Sequence, residues 1–268
     1  MDPVIQKAYQ ASKNGQSYAF ATIINVTLKG TPRKSGAKMI VLSDGSLFGS
    51  IGGGKNEKTV IAECQKAIQL QKPKLLNLKN YGIKGQPICG GKMEVFIEPF
   101  MGTRHLVICG AGHIALPLSV LGKMLNFKVT IIDDRKLFAS KKRFPHVDEV
   151  ICANQAKTLK KMPVTQDTYI VIVTHGHNYD FDCLKEVVNS NAAYIGVISS
   201  KRKRDQFFKD LKALGVKNTA LKKIRIPIGL DIGAQTPEEI ALSICSEIVS
   251  EYNKEWLKTA KFKTKSNL

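Results

Sequence analysis

The stretch HLVICGAGHIALPL, residues 105–118, constrains the fold more than any other part of the chain. An apolar run ends on glycine, a Gly110-Ala-Gly112-His-Ile-Ala115 turn of the G-x-G-x-x-A type follows, and an apolar-periodic helix comes directly after it. A strand that feeds a glycine turn and then a helix is the opening of a βαβ unit, and the sequence downstream continues the alternation. KVTIIDDR, DEVICA, DTYIVIVTH and AAYIGVIS are short apolar runs separated by helical segments near 181–190 and 201–214. Such runs suit strands buried on both faces of a parallel sheet. Residues 103–252 are therefore expected to form an α/β, Rossmann-like, doubly wound parallel sheet. Its last helix is marked by Thr236 as N-cap, Pro237 at the first helical position and Glu239 closing a capping box. Ile240, Ile244 and Ile248 recur on the face predicted to meet the sheet.

Residues 1–102 have a different texture. SYAFATIINVTL reads as a strand, AKMIVLSDGSLFGSI as a hairpin turning at Asp44-Gly45, and KMEVFIEPF as a further strand. One helix is expected near 56–69, with Val60, Cys64, Ala67 and Ile68 on its buried face. This predicts a smaller N-terminal α+β domain. Residues 253–268 read as a polar, basic tail.

The chain has 268 residues and a formal charge of +19, and seven of its 41 basic residues are arginine. That charge suits attraction of small anions. With no recognition helix and no aromatic-basic motif, it does not support nucleic acid as a partner. No stretch approaches the length of apolar sequence that a membrane span needs, and the first residues lack a continuous apolar core, so a cytoplasmic location without membrane association is expected. Six scattered cysteines without a C-x-x-C pair suggest neither a disulfide framework nor a structural zinc site.

Four stretches carry candidate chemistry. Gly110 and Gly112 would let a diphosphate approach the following helix, and Asp133, 23 residues after Gly110, stands where an acid accepts a hydrogen bond from a ribose hydroxyl. An NAD(P) or other nucleotide is the ligand so implied, and the adjacent Arg135 leaves its adenine-ribose phosphate open. THGHNYD, residues 174–180, follows an apolar strand and offers His175, His177 and Asp180 to an organic ligand, to a metal or to loop hydrogen bonds. In GSIGGGKNE, residues 49–57, Gly52, Gly53 and Gly54 precede a helix and can form an anion nest, with Arg33, Lys34 and Lys38 upstream as screening charges. A tight glycine turn without a ligand is the alternative. Cys89, before two glycines, is the cysteine whose surroundings favour a reactive thiolate, while Cys64, Cys109, Cys152 and Cys245 read as packing residues.

Taken in order, GTPRKSGAKMIVLSDGSLFGSIGGG, CGGKMEVFIEP, LVICGAGHIALPL, VTIIDDR, VTHGHNYD, YIGVISSKRKR and PIGLDIGAQTPEEIALSI resemble the XdhC/CoxI family over residues 17–250. The resemblance implies an accessory protein of molybdenum hydroxylases such as xanthine dehydrogenase. Such a protein binds molybdenum cofactor (molybdopterin), supports its sulfuration by a cysteine desulfurase, and delivers it to the apoenzyme. On that reading Gly52, Gly53 and Gly54 receive the pterin phosphate and Cys89 is a soft donor. Two positions depart from the family pattern: Lys55 stands where the family commonly has cysteine after the triple glycine, and Ser199 where it usually has glycine. The rival class is a nicotinamide-dependent oxidoreductase with His175 or His177 as acid/base. The sequence leaves the client hydroxylase open and leaves open whether the protein is a homodimer.

Overall fold

The structure is a computed structural model that describes residues 2–27, 33–81 and 87–254, without the side chains of 79–81, 87–91, 177 and 178. The chain divides into two compact units, Met1–Thr103 and Arg104–Leu268. In the first unit the order is α1 (Pro3–Lys13), β1 (Tyr18–Thr27), β2 (Lys38–Leu42), β3 (Leu47–Gly49), α2 (Gly54–Leu70), β4 (Lys74–Tyr81) and β5 (Pro87–Phe100). The second contains β6 (His105–Cys109), α3 (Ala115–Met124), β7 (Lys128–Asp133), β8 (Glu149–Cys152), α4 (Gln155–Lys161), β9 (Thr168–Ile172), α5 (His177–Val187), β10 (Tyr194–Val197), α6 (Lys201–Ala213), α7 (Asn218–Leu221), β11 (Ile224–Arg225) and α8 (Pro237–Tyr252).

The first unit is an antiparallel sheet in the order β3-β2-β1-β5-β4. The two-residue period of its strands sorts the side chains onto two faces. Ala19, Ala21 and Ile23 of β1, with Met39 and Val41 of β2, pack with Val60, Cys64, Ala67 and Ile68, the apolar face expected of α2. Tyr18, Ile40 and Leu42 pack on the opposite side with Val4, Ala8 and Ala11 of α1. Helix α1 was not expected from the sequence, although Asp2 caps it through the Val4 amide and Pro3 occupies its first turn.

The second unit is the expected parallel sheet, in the order β11-β10-β9-β6-β7-β8. Strand order reverses beside β6, whose neighbours are β7 and β9, and open sheets of this kind bind ligands outside the carboxyl ends of the strands at such a point. Helices α3 and α8 cover one face, with Ala115, Leu118, Ala241, Ile244 and Ile248 in its core. Leu159, Leu184 and Leu211, from α4, α5 and α6, cover the other. The capping box of α8 forms as the sequence predicts: the Thr236 hydroxyl accepts the Glu239 amide at 3.2 Å and Glu239 accepts the Thr236 amide at 3.0 Å. Among the described residues no helix is long and apolar enough to cross a membrane.

His105, at the start of β6, is held to the Thr130 hydroxyl at 2.8 Å. Burial, with Lys128 adding to it, pushes the imidazole down to about 4. Between pH 6.5 and that value the unfolded chain takes up a proton that the folded chain refuses, so this group's contribution to stability falls as pH falls through the window. Urea midpoints measured across this window should decline in the native protein and decline less in His105→Gln.

Candidate functional site

The first unit builds its glycine turn around a carboxylate of its own. Gly53 and Gly54 have φ of 77° and 71°, conformations that glycine adopts freely, and a Cβ on either would meet nothing within 4 Å. Three residues into α2, Glu57 turns back to the turn: one of its oxygens accepts the Ile51 amide at 3.2 Å, the Gly53 amide at 3.1 Å and the Ser50 hydroxyl at 2.6 Å. The Gly52 amide goes to the Ser50 hydroxyl at 3.1 Å. Of the three glycines proposed as a nest, Gly53 donates to Glu57 together with Ile51, while Gly52 donates to Ser50. An external anion using the Ile51 and Gly53 amides would have to displace the Glu57 side chain. Lys38 opens β2, and the pairing of Met39 with Gly49 places it beside the strand that leads into the glycines. Arg33 and Lys34 are exposed in the turn before β2. Cys89 lies on β5, and its side chain is outside the described residues. Burial pushes Cys64, on α2, up to about 12, which removes it as a thiolate donor.

In the second unit three loops converge at the carboxyl ends of β6, β7 and β9. Gly110 has φ of 115° and donates to the Ile132 carbonyl at 2.8 Å, and a Cβ there would stand 2.2 Å from the Val173 carbonyl oxygen. Strand proximity alone thus requires this glycine. Gly112 differs, because a Cβ there meets nothing within 4 Å, so the turn is open on its outer side. Asp133 is fully buried and accepts four hydrogen bonds: the Ala111 amide at 2.7 Å, the Arg135 amide at 3.0 Å, and the Arg135 guanidinium at 2.9 and 2.8 Å. Burial works to raise this carboxyl, but the bonds from Arg135 and Ala111 outweigh it and hold the group below the usual carboxylate range. Both oxygens are engaged from within the chain, so a ribose hydroxyl here would compete with Arg135.

The THGHNYD loop divides its residues. Asp180 is buried and its carboxylate accepts the Thr174 hydroxyl at 2.6 Å and the Thr174 amide at 3.2 Å, which makes it a brace for the loop. His175 is exposed, with its ring 4.7 Å from that of Tyr179, while the side chain of His177 lies outside the described residues. The structure groups His175 with Asp133 and Asp134: one donor atom from each lies within 4.8 Å of the others. Two carboxylates and an imidazole can ligate a divalent cation, although the Arg135 guanidinium already neutralises Asp133. Asp134 contributes an oxygen that is buried and has no hydrogen-bond partner among the described residues. Sequence reasoning missed Asp134, although the Asp-Asp-Arg run at a strand end is its signal. It also missed Arg143, which reaches the Gly112 carbonyl at 3.4 Å and shares the Phe138 ring with Arg135.

Residues 106–248 match the family described as XdhC Rossmann domain, and residues 11–82 match the XdhC and CoxI family. The chain is 30% identical over 254 residues to Uncharacterized protein YqeB of Escherichia coli (strain K12), covering 93% of this chain and 46% of that protein. It is 28% identical over 156 residues to a protein of Bacillus subtilis (strain 168) named as a probable xanthine dehydrogenase subunit, covering 58% and 45% respectively. The chain thus spans about half the length of the curated relatives it matches. A solved structure described as a xanthine dehydrogenase from Bacillus halodurans aligns over 98% of both chains with a TM-score of 0.51 and 22% identity, a likeness of fold.

The two glycines of the turn should separate cleanly. Gly110→Ala is expected to destabilise the protein by about 3 kcal/mol or more, because strand backbone must move, while Gly112→Ala stays within about 1 kcal/mol. Urea unfolding of both variants reads the difference.

Proposed function

Because the chain belongs to the XdhC and CoxI family, we propose that it is an accessory protein in the maturation of a molybdenum hydroxylase of the xanthine dehydrogenase type. It binds molybdenum cofactor and assists the cofactor's sulfuration or its insertion into the apoenzyme, with the apo-hydroxylase and a cysteine desulfurase as partners. The observation that carries this reading is the match of both units, in order, to families named for XdhC. The similarity to a protein whose name places it in a xanthine dehydrogenase favours the same client class.

The residues assigned to the cofactor are Gly52, Gly53, Gly54, Lys38, Arg33 and Cys89. When bound, the cofactor supplies a molybdenum centre held by a dithiolene and a terminal phosphate as its anionic handle. The open space beside Gly53 and Gly54 suits close approach of a phosphate, and the cations at Lys38 and Arg33 suit its charge. Glu57 is the competing anion. The fit therefore requires Glu57 to leave the Ile51 and Gly53 amides when the phosphate arrives, which couples occupancy of the nest to the start of α2. Lys55 at the second position of α2 cannot act as a thiolate, and we assign sulfur handling on this chain to Cys89.

Anaerobic loading followed by metal analysis and activation of an apo-hydroxylase tests the proposal. Wild type is expected to retain molybdenum and pterin together and to raise hydroxylase activity. Gly53→Val should lower retention about ten-fold, Glu57→Gln should raise it by removing the competing charge, and Cys89→Ser should lower sulfur transfer while leaving pterin bound. A chain that retains neither pterin nor molybdenum and activates no hydroxylase would sink the accessory reading. Retention unaffected by Gly53→Val and Glu57→Gln would remove the cofactor from the nest.

A further inference from the structure

The carboxyl end of β10 opens onto a cavity that neither glycine turn accounts for. Its volume is about 740 Å³, within the range of small-molecule sites. Two of the stretches that carry the family resemblance line it: Ile198 to Lys201, with Lys203, leading into α6, and residues 227–234, PIGLDIGA, leading toward α8. Neither stretch carries a chemical motif of its own in the sequence.

The floor of the cavity is fixed. Glu247 on α8 accepts the Gly229 amide at 2.9 Å and the Tyr194 hydroxyl, and the Leu230 amide donates to the Ser243 carbonyl at 3.2 Å. A Cβ on Gly229 would stand 2.1 Å from the Ser243 hydroxyl oxygen, so glycine lets the loop lie down on α8. The walls are apolar: Ile198, Ile228 and Ile240 pack into the sheet core, while Leu230 and Ile232 remain 42% and 51% exposed at the cavity. Ser199 lines it with a hydroxyl oxygen that is shut off from solvent and lacks a partner among the described residues. Its backbone is outside the left-handed region, so serine in place of the family's usual glycine introduces no strain. Lys201 and Lys203 give the cavity positive charge at the start of a 13-residue helix with no acidic residue in its first turn. Cations there oppose the helix dipole, and an anion offsets both. The lining's carboxylate, Asp231, is exposed.

We propose that this cavity binds a small phosphomonoester carrying a flat heterocycle. Lys201 and Lys203 hold the phosphate, the isoleucine and leucine walls hold the ring, and Asp231 accepts from its N–H groups. A mononucleotide and a phosphorylated pterin share this chemistry, and inorganic phosphate or a free nucleoside has only half of it. The inference does not depend on molybdenum cofactor being the cargo.

Calorimetry on the full chain, with AMP, GMP, 6-hydroxymethylpterin phosphate, adenosine and inorganic phosphate as probes, tests it and identifies the source. At least one phosphomonoester is expected to bind with Kd below about 100 µM, and about ten-fold or more tighter than adenosine or phosphate. Lys201→Glu/Lys203→Glu should weaken that probe at least about ten-fold, and Ile232→Ser should weaken it without changing charge. Lys160→Glu/Lys161→Glu, an equal charge change on α4, should leave it unchanged, with thermal unfolding confirming that every variant folds. The proposal is overturned if no phosphomonoester exceeds inorganic phosphate, if both double variants weaken binding equally, or if Gly112→Val abolishes binding that Lys201→Glu/Lys203→Glu retains.

Discussion

The hydrogen bonds to Asp133 tie together the part of the second unit where chemistry is expected. The carboxylate at the end of β7 reaches across to the Ala111 amide in the turn after β6, and Arg135 closes around it from the far side. Gly110, one residue earlier, lies between the Ile132 carbonyl on β7 and the Val173 carbonyl beyond β9. Three parallel strands are thereby held at one height, and the turn between them has little freedom to adjust. An unpaired carboxylate at a site with no solvent exposure would cost several kcal/mol, so the arginine is part of the same construction. The acid that a dinucleotide-binding reading assigns to a ribose is, in this chain, already bonded to the Ala111 amide and to Arg135.

The first unit solves a similar problem in a similar way. Consecutive glycines before α2 expose backbone amides that need an acceptor, and Glu57 returns from the helix to provide it. Asp180 does the same for the loop after β9 through Thr174. Three of the four stretches singled out in the sequence thus carry an internal carboxylate. The start of α6 is different, with Lys201-Arg202-Lys203-Arg204 on its first turn and Ser200 as its cap. Arg204 has Asp205 beside it at 2.8 Å, but Asp205 lies on the helix itself and leaves the charge at the cavity positive. Lys201 and Lys203 of this stretch line the cavity proposed above as a phosphomonoester site.

Much of this fold was legible because its signals are local. Apolar runs punctuated by glycine gave the parallel strands, the Thr236 capping box marked the start of α8, and the spacing of Val60, Cys64, Ala67 and Ile68 identified the buried face of α2. Helix α1 is marked in the sequence by its Asp2-Pro3 start, where Asp2 caps through the Val4 amide and Pro3 opens the first turn. Strand β4 escaped because KLLNLKNY alternates imperfectly and takes its order from pairing with β5. The sites were less legible than the fold for a physical reason: sequence shows that a glycine has amides to offer, and only the fold shows what accepts them. His175, His177 and Asp180 read as one cluster along the chain, yet Asp180 turns inward and His175 meets Asp133 and Asp134 from another strand. Likewise the cavity beside α6 joins segments about thirty residues apart in sequence, and no local pattern reveals their meeting.

The excess of positive charge acquires a sharper meaning once the acids are placed. Of the 22 acidic residues against 41 basic ones, Asp133, Asp180, Glu57 and Glu247 are tied to backbone amides, hydroxyls or an arginine of their own unit. These acids are engaged within their own units, and the net charge of the chain remains +19. Such a field draws anions of every kind and raises encounter rates, but over a Debye length of about 8 Å at physiological salt it cannot tell one phosphate ester from another. Discrimination has to come at short range, from apolar walls that accept a ring and from an acceptor placed to meet its N–H groups. In the second unit those features coincide at the cavity formed by Ile228, Leu230, Asp231 and Ile232. The long-range field brings anions to this protein, and the shape of that cavity is what can choose among them.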